Sequence, residues 1–80
     1  MKKINESETV ERDGLFYHQD TNELVTGIVE EFYSNGQLEF RGNVIDGKIE
    51  GLGEFFDQDG NLTQTSTWRN GEMVESNDNP

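Results

Sequence analysis

The chain has 80 residues, no cysteine, and a net charge of −11 from 17 acidic and 6 basic side chains. A chain of this size forms one small domain with a thin core, and without cysteine it has no disulfide or thiolate zinc site to staple it. The acidity argues against direct nucleic-acid binding, which needs a basic surface. The absence of a signal peptide and of an apolar run of roughly 18 residues predicts a cytoplasmic protein without a membrane segment.

Three segments follow one another along the chain. Residues 1–13 are polar and mostly acidic, and we interpret them as a flexible N-terminal arm that leads to a short strand near Val10. Residues 14–74 form a β-domain, and residues 75–80 a disordered tail. The strands predicted in the β-domain are 14–18, 23–33, 37–45, 49–56 and 61–68, with an edge strand beginning at 72–74.

The central hairpin has the clearest pattern. Asp46-Gly47 favours a tight turn between two alternating strands, because such a turn needs positive φ. Gly51 and Gly53 follow on the return strand, where glycine indicates close approach by another group. We expect aromatic rings to pack over Gly42, Gly51 and Gly53.

An internal repeat of 24 residues connects this hairpin to its neighbours. The matched pairs are Gly27 with Gly51, Glu30 with Glu54, Phe32 with Phe56, Gly36 with Gly60, Leu38 with Leu62, Val44 with Trp68, and Gly47 with Gly71. A unit this short cannot bury its apolar face alone, so neighbouring units are expected to stack.

The pattern Phe40-x-Gly42-x-Val44-x-x-Gly47-x-x-x-Gly51-x-Gly53-x-Phe55 resembles a MORN repeat. The flanking residues 32–38 and 44–48 resemble its bacterial variant, found in proteins labelled antitoxins. The resemblance spans about residues 14–74. The departures from the pattern are Val44 for an aromatic residue, Glu50 for the histidine of the eukaryotic form, Gln64 for an aromatic residue and Ser66 for a glycine.

The predicted fold class is all-β: an antiparallel hairpin meander of five to six strands, built from about two and a half repeats as a single elongated twisted sheet. Seven glycines are interpreted as structural: Gly36, Gly42, Gly47, Gly51, Gly53, Gly60 and Gly71.

Catalytic and metal sites are not expected. His18 is the only histidine and lacks cysteine partners. Asp57-x-Asp59-Gly60-Asn61 resembles part of a calcium loop, but Phe55 and Ser66 stand where an EF-hand needs acidic ligands. No nucleophile accompanies the pair Glu30-Glu31. We therefore predict no enzyme activity, no cofactor and no metal.

Acidic side chains are the strongest candidates for function. Residues 27–60 contain eight acidic and two basic side chains. Such a field attracts a basic partner, although it also serves solubility alone. The predicted partner-binding residues are the acids Glu30, Glu31, Glu50, Glu54, Asp57 and Asp59 and the aromatic residues Tyr17, Tyr33 and Trp68.

The leading hypothesis is a binding inhibitor: an antitoxin or immunity protein that covers the active site or substrate groove of a basic toxin. The alternatives are a phage-type nucleic-acid mimic that inhibits a host defence nuclease, and a structural MORN scaffold module. The expected partner is a protein with a basic surface, and the expected state is a monomer or homodimer. Membrane association is not expected, because anionic lipid repels an acidic chain.

Overall fold

The computed structural model describes residues 2–78 and contains eight strands. The strands are β1 Lys3–Asn5, β2 Thr9–Arg12, β3 Leu15–His18, β4 Gly27–Phe32, β5 Leu38–Ile45, β6 Lys48–Phe56, β7 Leu62–Arg69 and β8 Glu72–Asp78. A 3₁₀ turn, Glu6–Glu8, joins β1 to β2. The described residues contain no helix long and apolar enough to span a bilayer.

Strands β4 to β8 form the antiparallel meander that the sequence predicts, and β1 adds to its edge, giving the order β1-β4-β5-β6-β7-β8. The 24-residue repeat is visible in the hydrogen bonds. The amide of Gly47 donates to the Val25 carbonyl at 2.8 Å, and that of Gly71 donates to the Ile49 carbonyl at 3.0 Å. These bonds are equivalent in the two repeats, so the sequence repeat is also a repeat of backbone geometry.

The sheet continues further in sequence than predicted, at both ends. The segment 1–13, predicted as a flexible arm, contains strand β1, the 3₁₀ turn and strand β2. The segment 75–80, predicted as a tail, contributes its residues 75–78 to β8. Met1 of the arm and Asn79 and Pro80 of the tail lie outside the described residues.

A second, two-stranded sheet was not predicted. Strands β2 and β3 pair antiparallel around Asp13 and Gly14, whose φ angles are 55° and 78°. Two positive φ angles in succession are typical of the tight turns that join hairpin strands. The hairpin is tied to the main sheet where the Phe16 amide donates to the Gly47 carbonyl at 2.8 Å. We refer to residues 9–18 as the N-terminal hairpin.

The core is small and lies between β1, β4 and β5. Its buried apolar side chains are Ile4, Val25, Val29 and Val44, with Phe16 and Ile49 packed against them. Strand β1 runs parallel to β4 and places Ile4 beside Val29. The first residues of the chain therefore cover the first repeat.

Candidate partner-binding groove

Two of the predicted glycines lie under aromatic rings. A Cβ atom added at Gly42 would lie 2.8 Å from the Phe40 ring, and one added at Gly53 would lie 2.8 Å from the Trp68 indole nitrogen. Gly53 is also paired with Gly42 across β5 and β6. The rings consequently approach the backbone more closely than any side chain at these positions permits.

Gly51 was expected to lie under a ring, and that prediction is wrong. An added Cβ there would meet nothing within 4 Å, and its φ is +78°. Gly51 lies where the register of β5 and β6 shifts, and glycine suits such a bulge because it accepts positive φ without strain. Four other predicted structural glycines have positive φ: Gly36, Gly47, Gly60 and Gly71.

The rings form the floor of a groove of about 250 Å³ on one face of the main sheet. The N-terminal segment lines its other side through Glu6, Glu11 and Phe16. The sheet residues that line it are Val29, Glu31, Phe40, Ile49, Phe55 and Trp68. We call this feature the aromatic groove.

Among the described residues, three carboxylates and no basic side chain line the aromatic groove. They come from separate elements: Glu6 from the 3₁₀ turn, Glu11 from β2 and Glu31 from β4. Burial raises the pKa of Glu31 above its usual range, and the negative charges of Glu39 and Glu6 raise it further. Among residues 2–78, the single salt bridge joins Arg41 to Glu54, so none of these carboxylates is paired.

Glu30 and Glu54 lie on the opposite face of the sheet from Glu31. They align with Arg41 across β4, β5 and β6, which places Arg41 between them. Arg41 donates to Glu54 Oε1 from Nη2 at 2.9 Å and from Nε at 3.2 Å. The two glutamates share a face as expected, but an arginine interrupts their row and pairs with one of them.

Of the other predicted acids, Glu50 lies in β6 beside the turn between β7 and β8, and Asp57 and Asp59 lie in the turn between β6 and β7. Glu50 Oε1 accepts from the Asn70 amide at 3.0 Å. Asp57 Oδ1 accepts from the amides of Asp59 and Asn61, each at 2.9 Å. The amide of Asn61 makes the largest contribution in holding the pKa of Asp57 below its usual range. Glu50 and Asp57 therefore stabilise turns, while the Asp59 side chain is exposed.

The three predicted aromatic residues occupy different places. Trp68 lines the aromatic groove, and its Nε1 donates to Ser66 Oγ at 2.7 Å. Tyr33 donates its hydroxyl to the Phe56 carbonyl at 2.7 Å, linking the turns of adjacent repeats. Tyr17 lies in the N-terminal hairpin under the guanidinium of Arg12, 4.3 Å from the ring centroid. Of the nine predicted partner-binding residues, only Glu31 and Trp68 meet in this groove.

The prediction of a flexible arm over residues 1–13 excludes Glu6 and Glu11 as functional candidates, and Phe16 lies in a predicted strand but is not among the predicted partner-binding residues. The sequence does contain an indication of the hairpin. Asp13-Gly14 is the same dipeptide as Asp46-Gly47, and it stands between Thr9-Val10 and Leu15-Phe16-Tyr17. Applying the same rule to both dipeptides predicts two hairpins.

A second cleft, of about 260 Å³, lies beside β1 and the end of β3. Its charged lining has both signs, from Lys2, Lys3, Glu8 and Asp20, and it includes His18. Within residues 2–78, no three acidic or histidine side chains are grouped to hold a metal ion. The described lining of this cleft has two acidic and two basic side chains, whereas all the charged side chains that line the aromatic groove are acidic.

The comparisons with known proteins identify a repeat family. A family model described as MORN repeat variant matches residues 25–46 and 49–75. The two matched segments begin 24 residues apart, in agreement with the spacing of equivalent hydrogen bonds. No curated protein and no solved structure matches the chain significantly.

Proposed function

Because the chain belongs to the MORN repeat variant family, we propose that it is a non-enzymatic binding protein, specifically an antitoxin or immunity protein. In this proposal it covers the active site or substrate groove of a basic toxin. The observation that carries the proposal is the aromatic groove, where half-buried rings lie beside unpaired carboxylates. Buried aromatic residues are frequent energetic centres of protein interfaces.

The charge of the chain supports a basic partner. With a net charge of −11, the protein attracts a positively charged surface over several ångströms. Such steering raises association rates by about 10- to 1,000-fold at low ionic strength. Inhibition then follows from occlusion, since a toxin whose active site or substrate groove is covered by this chain cannot admit its substrate. We propose the cytoplasm as the location, in keeping with a chain that has no cysteine.

Nucleic-acid mimicry has weaker support than toxin binding. A mimic needs rows of negative charge that follow the phosphates of a strand. Glu30 and Glu54 are the repeat-equivalent acids that would begin such a row, but Arg41 lies between them and pairs with Glu54. We therefore favour recognition of individual basic groups over imitation of a phosphate backbone.

Co-expression with the product of the adjacent gene tests the proposal. We expect the chain to restore growth to cells that express this neighbour and to co-purify with it. A triple variant of the groove, Glu6→Gln, Glu11→Gln and Glu31→Gln, should lose both effects. Any residual association with the neighbour should also depend less on salt concentration, because three attracting charges are gone.

The matched control changes the same number of charges elsewhere. Glu23, Glu72 and Glu75 are exposed and do not line the groove, so Glu23→Gln, Glu72→Gln and Glu75→Gln should preserve rescue. Circular dichroism verifies that both triple variants fold. Failure of the wild-type chain to rescue growth or to co-purify would overturn the antitoxin proposal.

A further inference from the structure

The dimensions of the aromatic groove limit what it holds. Its volume of about 250 Å³ is below the roughly 300–1,000 Å³ of typical small-molecule sites. It lies open on a sheet face, between the N-terminal hairpin and strands β4 to β7. A space of this size and position suits a single side chain projecting from another protein.

The charges of the groove limit the occupant further. Glu6, Glu11 and Glu31 line it, and both nearby arginines are engaged elsewhere. Arg12 lies over the Tyr17 ring and donates to Asn22, and Arg41 pairs with Glu54 on the other face. The groove therefore presents uncompensated negative charge that a cation would neutralise.

The aromatic floor of the groove favours a cation for a second, independent reason. Phe40 and Phe55 pack with centroids 4.8 Å apart, and Trp68 lies over the adjacent glycine. Aromatic faces attract cations through their quadrupole, and tryptophan does so most strongly. Lysine and arginine combine an apolar stem with a charged head, so they match a floor of rings and a rim of carboxylates together.

We propose that the aromatic groove binds one lysine or arginine side chain of a protein partner, with its stem against the rings and its head at the carboxylates. This inference deepens the proposed function and rests on it, because it names the group through which a basic partner is held. The raised pKa of Glu31 is consistent with a carboxylate that lacks a counter-charge in the free protein.

Trp68 is the only tryptophan, so its fluorescence reports directly on the groove. The test titrates the full chain with three capped peptides: Ac-Ala-Arg-Ala-NH₂, Ac-Ala-Lys-Ala-NH₂ and Ac-Ala-Nle-Ala-NH₂, where Nle is norleucine. The arginine and lysine peptides should give saturable changes in emission. The norleucine peptide has a similar stem without charge and should give none.

The matched variants are Glu31→Gln and Glu30→Gln. The two residues are neighbours on β4 and face opposite sides of the sheet. Each substitution removes one negative charge. Glu31→Gln should weaken the binding of the arginine peptide about tenfold or more, which is the loss of affinity expected when a charged contact is removed. Glu30→Gln should change affinity less than about twofold, because its charge is distant and screened. Glu11→Gln, on the exposed hairpin, serves as a second groove variant.

Several results would overturn the inference. These are an equal response to the norleucine peptide, equal weakening by Glu30→Gln and Glu31→Gln, and no saturable change with any peptide at millimolar concentration. The growth experiment separates the two proposals. Peptide binding without rescue would reject the antitoxin function alone, whereas rescue that survives the triple groove variant would reject the groove as the contact.

Discussion

The two MORN repeats have the same turns but opposite surroundings. Their equivalent positions are Val25 and Ile49, Val29 and Gly53, and Val44 and Trp68. In the first repeat all three side chains are buried, under Ile4 and Phe16. In the second repeat Ile49 and Trp68 stay partly exposed and line the aromatic groove. The first repeat thus supplies three of the four buried core side chains, and the second supplies the more open side of a groove that both repeats line.

The difference comes from outside the repeats. Strand β1 pairs with β4 at the edge of the first repeat, and the N-terminal hairpin lies against the same face. Beyond the second repeat, β8 has exposed side chains throughout and no covering layer within the described residues. Equivalent positions of the two repeats are therefore buried or partly exposed according to what packs on them.

The largest effect should come from removing the cover of the first repeat. Ile4 is only 5% exposed, so Ile4→Ala should cost about 2–5 kcal/mol of unfolding free energy by creating a cavity. That is a large share of the roughly 4–12 kcal/mol expected for a domain of this size. Urea unfolding measures the change.

The control is Leu52→Ala, at a side chain that is 54% exposed in the second repeat. Its cost should be within about 0.5 kcal/mol of zero, as for most surface substitutions. If Ile4→Ala were equally mild, the N-terminal segment would not form part of the core.

A moderate effect is expected at Gly53, where the second repeat needs empty space. The added methyl of Gly53→Ala would collide with Trp68 and with Ser66 Oγ, both 2.8 Å away. Overpacking of this kind costs about 1–3 kcal/mol. Near-ultraviolet circular dichroism of Trp68 should change together with the urea midpoint.

Val29→Ala provides the comparison, because Val29 is the buried equivalent of Gly53 in the first repeat. Val29→Ala should destabilise the fold because it removes packed volume, whereas Gly53→Ala adds volume. The expected cost is about 1.6 kcal/mol or more for two lost methyl groups. A neutral Gly53→Ala would show that the rings move aside freely, contrary to the packing described.

The ion pair on the face opposite the groove should contribute less to the free energy of unfolding than the packing at Ile4 and Gly53. The side chains of Arg41 and Glu54 are 37% and 25% exposed, and partly exposed ion pairs contribute about 0.2–1 kcal/mol. Arg41→Gln should therefore cost no more than about 1 kcal/mol and leave the peptide response of Trp68 unchanged. A large loss of peptide binding would mean that the two faces are coupled.

The smallest effects should appear in the dependence of stability on pH, with opposite signs for two acids. The folded pKa of Glu31 is raised, so its ionisation destabilises the fold as pH rises through the window above 4.5. The folded pKa of Asp57 is lowered, so its contribution is present above 3.8 and is lost as pH falls through the folded value.

Urea midpoints measured across pH 3 to 7 separate the two. Glu31→Gln should be more stable than wild type at neutral pH, with the difference closing towards acid. Asp57→Asn should be less stable than wild type at neutral pH, with the difference also closing towards acid. Identical profiles for the two variants would contradict the assigned environments.

Most of the meander could be predicted because the patterns that specify it lie within short stretches of the sequence. Alternation, turn dipeptides and the 24-residue spacing define β4 to β7 to within a few residues, although β4 begins at Gly27 and not at Glu23. Strand β1 could not be found in this way. It has three residues, it pairs with β4 in parallel across more than twenty intervening residues, and only the buried Ile4 fixes it.

The site was harder to predict than the fold. Repeat spacing correctly placed Glu30 and Glu54 on one face, but no local pattern shows that Arg41 lies between them in register. Asp57 and Glu50 resembled a binding rim, yet their oxygens accept turn amides. The groove depends on a hairpin folding over a distant strand, which is a tertiary contact.

The central claim is that the aromatic groove, which both repeats and the N-terminal segment line, recognises a cationic side chain. Nuclear magnetic resonance of the ¹⁵N-labelled chain, titrated with Ac-Ala-Arg-Ala-NH₂, tests it most directly. We predict shifts of the Trp68 indole N–H and the amides of Glu31 and Gly53, with Leu52 and Thr67 scarcely affected. Shifts centred on the Arg41 face, or spread evenly over the acidic surface, would contradict the claim.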